Sequence, residues 1–420
     1  EWQRDPLDIY AFNLVVPAGA TQLDVRFQVL TPATREQGRV VVTPEIVGLQ
    51  WNTVVLYPAS RSMTNTLVQA NITLPPDWDA ATALSELTRS GDLISYDPVP
   101  LETLVDSPVF AGKHFRKVTL GDFTGAKVRL NVVGDSAAAV LASTPQLTAH
   151  AKLVSEAQAL FGARHFDRYE FLLALSEHFS GIGLEHHRSS ENAVSAEYFS
   201  EWDKKQAERS LLPHELVHSW VGKFRRPAGQ VVGNFNTPLQ NELLWVYEGQ
   251  TQFWGQVLSS RSGLWSQPFT RESIAYLAAN LDVNRPGRES RSLQDTVYQP
   301  IVTARRPLSY GSQQRSEDYY NEGLLLWLEV DGLLRELTNE AKGMDDFARA
   351  FFGAQPGLPD DSYAALGFRF EEVVAALQAL APYDWAGLLR ARLDGHGPGA
   401  PLQGLTKAGW KLAYTDKPTE

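Results

Sequence analysis

Residues 214 to 218 read His-Glu-Leu-Val-His, two imidazoles four positions apart with a carboxylate directly after the first. On a helix, positions i and i+4 share a face, so His214 and His218 can reach one metal ion while Glu215 projects beside it toward the water such an ion activates. This donor pattern suits hydrolysis of a peptide bond by a zinc-activated water. The competing reading is two ordinary core or surface histidines flanking a glutamate by accident. A catalytic zinc takes three protein ligands and keeps one position open. Glu248 is the candidate third ligand, because it stands alone among apolar neighbours in the run 243–258, where a carboxylate is costly unless a metal or a cation compensates it. Arg225 and Arg226 are the cations that could pair with it instead, and Glu242 competes as ligand or as a partner of the ligands.

Two helices must present these groups. Ser210 can cap the first, Pro213 falls in its first turn, and Leu211, Leu212, Leu216, Val217 and Trp220 give it apolar surface on either side of the histidines. The second helix is expected over 243–258. Ahead of them, the strand-like run 169–175 leads to Gly181-Ile182-Gly183-Leu184-Glu185-His186-His187-Arg188. Its glycines let a backbone approach closely, and an exposed strand edge can take a peptide as an added strand. Glu185, read locally, is either a solvated loop acid or a carboxylate that gives charge-assisted hydrogen bonds to an ammonium. His186 and His187 point to opposite faces of a strand, so at most one could face the metal; both are expected to be solvent-exposed or hydrogen-bonded. A third segment, Asp318-Tyr319-Tyr320-Asn321-Glu322-Gly323, opens an apolar helix through Leu324, Leu325, Leu328 and Leu333.

These words together resemble the gluzincin metallopeptidases, and among them the glycyl aminopeptidase family, related to the alanyl and leucyl aminopeptidases. The resemblance is carried by His214-Glu215-Leu216-Val217-His218-Ser219-Trp220-Val221-Gly222-Lys223, by Arg225-Arg226-Pro227, by Trp245-Val246-Tyr247-Glu248-Gly249 and by Gly183-Leu184-Glu185-His186. The interval of thirty positions from His218 to Glu248 is similar to the longer spacing of the glycyl branch. Val221 departs from the family, which has Asn there. The resemblance implies Zn2+ held by His214, His218 and Glu248, with Glu215 as general base. It implies that Glu185, with Gly183 and Leu184, binds the free α-ammonium of a peptide, and that Tyr320 stabilises the oxyanion, Tyr319 being the alternative. Glu322 stands where the family has Lys, so that lysine's role does not carry over. The implied activity is an aminopeptidase releasing small residues such as Gly or Ala from peptides with a free N-terminus. The alternatives are a zinc aminopeptidase or endopeptidase of broader specificity, and a non-catalytic peptide-binding protein of peptidase ancestry.

The expected architecture is α+β: an N-terminal all-β domain over 1–140, a thermolysin-like zinc catalytic domain over 141–338, a C-terminal helical region over 339–395, and a linker or tail over 396–420, after which the family carries a PDZ-like domain. Alternation or β-branched runs place strands at 23–29, 40–42, 53–57 and 127–132. A helix is expected from Thr144, with Pro145 in its first turn, and others at 344–352, 370–380 and 385–393. The loop 223–240 is expected to shape the cleft, with its arginines solvated. No cysteine occurs among 420 residues, which excludes a thiol nucleophile and disulfides. The net charge of −11 argues against nucleic acid or an anionic membrane as partner. No apolar run is long enough to span a bilayer, and either the bacterial cytoplasm or the periplasm would suit such a soluble chain.

Overall fold

The structure is a computed structural model that describes residues 2–59, 61–303, 309–353 and 364–416. Its centre is a five-stranded sheet in the order His114–Phe123, Ala126–Gly134, Arg168–Leu175, Ser189–Val194, Ile182–Glu185. The two interior pairings, of Arg168–Leu175 with Ala126–Gly134 and with Ser189–Val194, are parallel; the outer two are antiparallel. Phe171, Leu172, Leu173, Ala174 and Leu175 are all fully buried, as a central strand covered on both faces requires. One face is covered by the helix Thr144–Phe161, which a capping box at Ser143 and Gln146 starts and Gly162, at φ 71°, ends. The strand Ile182–Glu185 is an edge strand, paired on one side only among the described residues.

The architecture is α+β as expected. Ahead of the sheet lies a β-rich region of short strands, among them the three-stranded sheets Ile46–Leu49, Val109–Gly112, Asp79–Ala81 and Asn71–Thr73, Leu93–Tyr96, Glu86–Ser90. The strand expected at 127–132 forms as Ala126–Gly134, but it belongs to the central sheet, which therefore reaches back across position 140 to residue 114. Three expected strands do not form. Residues 23–29 make no ladder, and Leu23 and Phe27 remain 46% and 51% exposed; alternation supplies an apolar face, but no other strand takes up its hydrogen bonds. Residues 40–42 contribute a single bridge from Val42 to Val47, and 53–57 follow the 3-10 turn Trp51–Thr53.

Behind the sheet pack the helices Leu211–Val217, Leu244–Ser262 and Asp318–Leu337. The C-terminal helices Met344–Phe351, Phe370–Leu380 and Trp385–Leu393 form as expected. The tail beyond 396 folds back: Gln403–Lys407 is helical, and Gly404 lies against the backbone of Asp318–Leu337, so close that a Cβ there would sit 2.7 Å from Glu329 N. The last four residues, 417–420, lie outside those described. Among the described residues no helix is long and apolar enough to cross a membrane.

Candidate active site

Two helix crossings build the site, and at each of them glycine removes the side chain that would hold the helices apart. A Cβ on Gly255 would lie 3.1 Å from the Cα of His214, so the helix Leu244–Ser262 meets the histidine helix in near-backbone contact. A Cβ on Gly249 would lie 3.0 Å from the Cα of Gly323, and one on Gly323 would lie 2.8 Å from the Cα of Gly249. The helices carrying Glu248 and Tyr320 therefore cross one residue beyond Glu248 and three beyond Tyr320. A glycine inside a helix costs roughly 1 kcal/mol against alanine, and the close approach is what that cost makes accessible. Gly183 on the edge strand acts likewise: a Cβ there would collide with Glu215 Oε1.

The histidine helix is short, Leu211–Val217, with His218 as its C-cap. Ser210 does not cap it. A 3-10 turn, Ala207–Ser210, runs straight into the helix, leaving Ser210 helical, with its hydroxyl donating to Ala207 O at 3.2 Å. Pro213 does fall in the first turn.

His214 Nε2 lies 3.1 Å from His218 Nε2, and Glu248 Oε2 lies 3.6 Å and 3.3 Å from them. Four ligands at the bond lengths of a tetrahedral zinc site stand roughly 3.3–3.5 Å apart, so the spacing matches. The donor set also fits: Glu248 Oε2 is buried without a hydrogen-bond partner, and two further carboxylates, Glu185 and Glu215, ring His218. His218 Nδ1 donates to Val221 O at 3.0 Å, which fixes the ring and leaves Nε2 as the donor atom facing Glu248. This bond uses the backbone of Val221, so the departure from Asn does not disturb it. Arg225 and Arg226 do not pair with Glu248. Nor are they simply solvated: Arg225 stacks 4.4 Å from the Phe351 ring, and Arg226 donates to Gly222 O at 2.9 Å. Glu242 stands apart from the ligand cluster, with its carbonyl accepting from Gln294 at 2.9 Å.

Glu215 is buried against the edge strand, and Tyr169 donates to its carbonyl at 3.1 Å. Burial, reinforced by the carboxylates of Glu185 and Glu248 against the opposing His218, lifts its carboxyl well above the usual range. Burial works the same way on Glu248, but the charge of His218 and the closeness of both imidazoles outweigh it and hold that carboxyl far below the usual range. The two acids are thus pushed in opposite directions within one site.

Glu185 is half-buried at the end of the edge strand, with a carboxylate oxygen within 4.8 Å of the ligand atoms of Glu215 and His218. The hydroxyl of Tyr247 donates to its Oε1. Tyr247 in turn is pinned: its ring lies 5.0 Å from that of His218 and fills the space a side chain at Gly222, φ 112°, would need. Leu184 and Gly183 pair with Glu191 and Asn192 and leave the other edge of their strand open. His186 and His187 are buried and hydrogen-bonded rather than exposed. His186 bridges Asp106 at 3.2 Å and Glu191 at 3.1 Å, while His187 N donates to Asp106 Oδ2 at 2.8 Å. Asp106 also accepts from Lys223 Nζ at 2.6 Å, and Ser219 Oγ donates to His187 O at 2.7 Å, so the end of the histidine helix is tied to the Glu185 hairpin.

Tyr320 reaches the site and Tyr319 does not. The Tyr320 ring stacks 6.0 Å from that of His214 and lines a cavity with His214 and Glu215, whereas Tyr319 is packed into the core. Burial, with Glu248 adding to it, pushes the Tyr320 hydroxyl well above the tyrosine range, so it remains a proton-bearing donor. Glu322 faces away into a buried ion network, accepting from Arg288 at 2.9 Å and from Arg315.

Tyr247, Asp106 and the crossing glycines were not singled out by sequence reasoning. Only the glycines carried a signal, as two Gly inside an apolar helical run.

The family model described as M61 glycyl aminopeptidase matches residues 207–326, and the model of the M61 peptidase N-terminal domain matches 1–113. Among solved structures, an aminopeptidase N family protein from Idiomarina loihiensis superposes with a TM-score of 0.67 at 19% identity, covering 86% of this chain and 61% of that one. The chain thus spans about three fifths of that protein's length. An M1 zinc metallopeptidase from Deinococcus radiodurans aligns with a TM-score of 0.48 at 16% identity, over 79% of this chain and 65% of its own. At 19% identity the likeness to the Idiomarina protein is one of fold alone. No curated protein sequence matches the chain.

Proposed function

Since the chain belongs to the M61 glycyl aminopeptidase family, we propose that it is a zinc-dependent aminopeptidase that removes a small first residue, Gly or Ala, from peptides. The observation that carries this reading is the closeness of Glu185 to the reacting centre. Its carboxylate lies within 4.8 Å of the ligand atoms of both Glu215 and His218. An ammonium held by that carboxylate leaves room for one residue before the scissile carbonyl, which is the geometry of an exopeptidase. The fixed Tyr247 ring beside the anchor supports the preference for a small first side chain.

His214, His218 and Glu248 would hold the zinc, which lowers the pKa of water toward about 7 and polarises a carbonyl. Glu215, with its raised proton affinity, accepts the proton of the attacking water and delivers it to the leaving amine as the C–N bond breaks. Tyr320 donates its hydroxyl hydrogen to the oxygen on which negative charge develops. Glu185, braced by Tyr247, holds the ammonium, while Gly183 and Leu184 offer backbone along the open edge of their strand. For the domain division, we place the catalytic unit from about residue 114 to about 338, so that the whole central sheet lies within it.

Glu215→Gln tests the reaction. Zinc content by elemental analysis should be retained while alanyl-arylamide hydrolysis falls about 10²- to 10⁴-fold, and undiminished hydrolysis would reject the mechanism. N-acetylation of the substrate should abolish cleavage, and equal rates for free and acetylated forms would remove Glu185 as the anchor.

A further inference from the structure

A cavity of about 450 Å³ is lined by Glu215 and not by Glu185. Its position follows from the hairpin register. Glu185 pairs with Ser190 at one end of the edge strand, and Ile182 pairs with Ala193 at the other. The cavity is lined by Val194, next to that second end, together with Leu211, Glu208, Gln252 and Gln256. A peptide whose ammonium sits on Glu185 and whose first carbonyl lies over Glu215 runs past Gly183 toward this opening. The cavity's apolar wall, from Val194 and Leu211, suits methylene groups.

Its polar side is unusual. Gln256 is 7% exposed, and its Oε1 is buried without a hydrogen-bond partner. A buried amide oxygen left unpaired is a destabilising feature that a ligand donor would relieve. Two carboxyl groups, Glu208 and Glu215, line the same cavity, and among the described residues no lysine or arginine does. Glu208 accepts from Ser195 N and Oγ, at 3.1 Å and 2.8 Å, with Lys205 3.5 Å away on its outer side. The Glu208 carboxylate and the unpaired amide oxygen of Gln256 together suit a hydrogen-bond donor, and a positive one.

We propose that this cavity receives the side chain of the substrate's second residue and selects a long chain ending in a hydrogen-bond donor, lysine or arginine. The proposal rests on the aminopeptidase reading for the direction of the peptide. It names a determinant, Gln256, that takes no part in bond cleavage.

Ala-Lys-amide and Ala-norleucine-amide test it, because the two side chains share their methylene chain and differ by the ammonium. The kcat/KM ratio in the wild-type zinc enzyme should favour lysine by about tenfold or more, with Ala-Gly-amide as the side-chain-free reference. Gln256→Leu should bring the ratio toward unity, and Gln256→Glu should raise it. Calorimetric binding of the same two peptides to the Glu215→Gln protein should show the same preference in Kd. Equal wild-type rates for lysine and norleucine, or a ratio indifferent to both Gln256 substitutions, overturn the proposal. Failure of all three peptides to be cleaved overturns the aminopeptidase reading instead, and the calorimetric comparison then still decides whether the cavity prefers the donor.

Discussion

The two ends of the cleft are built differently. At the Glu185 end stand two buried hydrogen-bonded groups, Asp106 accepting from His186 and Lys223, and Glu185 accepting from Tyr247, drawn from the N-terminal region, the edge hairpin and two segments of the catalytic half. At the Gln256 end, the cavity is walled by single side chains, and its amide is left unpaired. A site that must recognise an ammonium needs its carboxylate held rigid and dehydrated, since a mobile or solvated one would bind neutral termini nearly as well. A subsite whose occupant brings its own hydrogen-bond donor can leave an acceptor unpaired until the peptide arrives.

Breaking the rigid end should cost the most. Asp106→Ala strands Lys223 and His186 without their shared carboxylate, so about 3–5 kcal/mol of stability should be lost in urea denaturation; a loss below about 1 kcal/mol would mean this end is not a braced unit. The same group makes stability depend on pH. Burial alone would lower the proton affinity of His186, but Asp106 and Glu191 outweigh it and raise its pKa from 6.5 to about 9. Its contribution is therefore complete below about pH 6.5 and lost as pH rises through 9, and Asp106→Asn should flatten that alkaline decline.

Between the ends, Tyr320→Phe should lower kcat about 10²-fold, roughly 3 kcal/mol of barrier, with KM little changed. A change in KM alone would assign the ring to binding. Gly249→Ala places a methyl 3.0 Å from the Cα of Gly323, and such overpacking should cost about 1–3 kcal/mol and lower kcat by moving Tyr320 relative to Glu248. Wild-type kinetics would show that the crossing tolerates separation. The smallest effect is expected at Tyr247→Phe, which removes one hydrogen bond to Glu185. KM for free-amine substrates should rise about fivefold, on the order of 1 kcal/mol, and an unchanged KM would remove Tyr247 as the brace of Glu185.

His214, Glu215 and His218 were legible because their relation is local: helical periodicity alone puts the imidazoles on one face, and it does so even though the expected cap at Ser210 was wrong. Glu248 was legible for an energetic reason, as a carboxylate in an apolar helix that nothing nearby in sequence could neutralise. The strand expected at 23–29 failed for the converse reason. Its alternation is as regular as that of 127–132, but a strand exists only where another segment supplies the ladder, and 126–134 has two partners while 23–29 has none among the described residues.

The chain's linear order thus determined the reagents: two imidazoles at helical spacing, an acid between them, a second acid on a buried helix, and a third in a glycine-rich strand. Folding decided the rest. It selected Tyr320 over Tyr319, brought Asp106 beside residues 186, 187 and 223, and set Tyr247 on Glu185. Each of those choices joins groups separated by tens of residues or more, or turns on which face a helix presents at a crossing, and no pattern within a few helical turns encodes either.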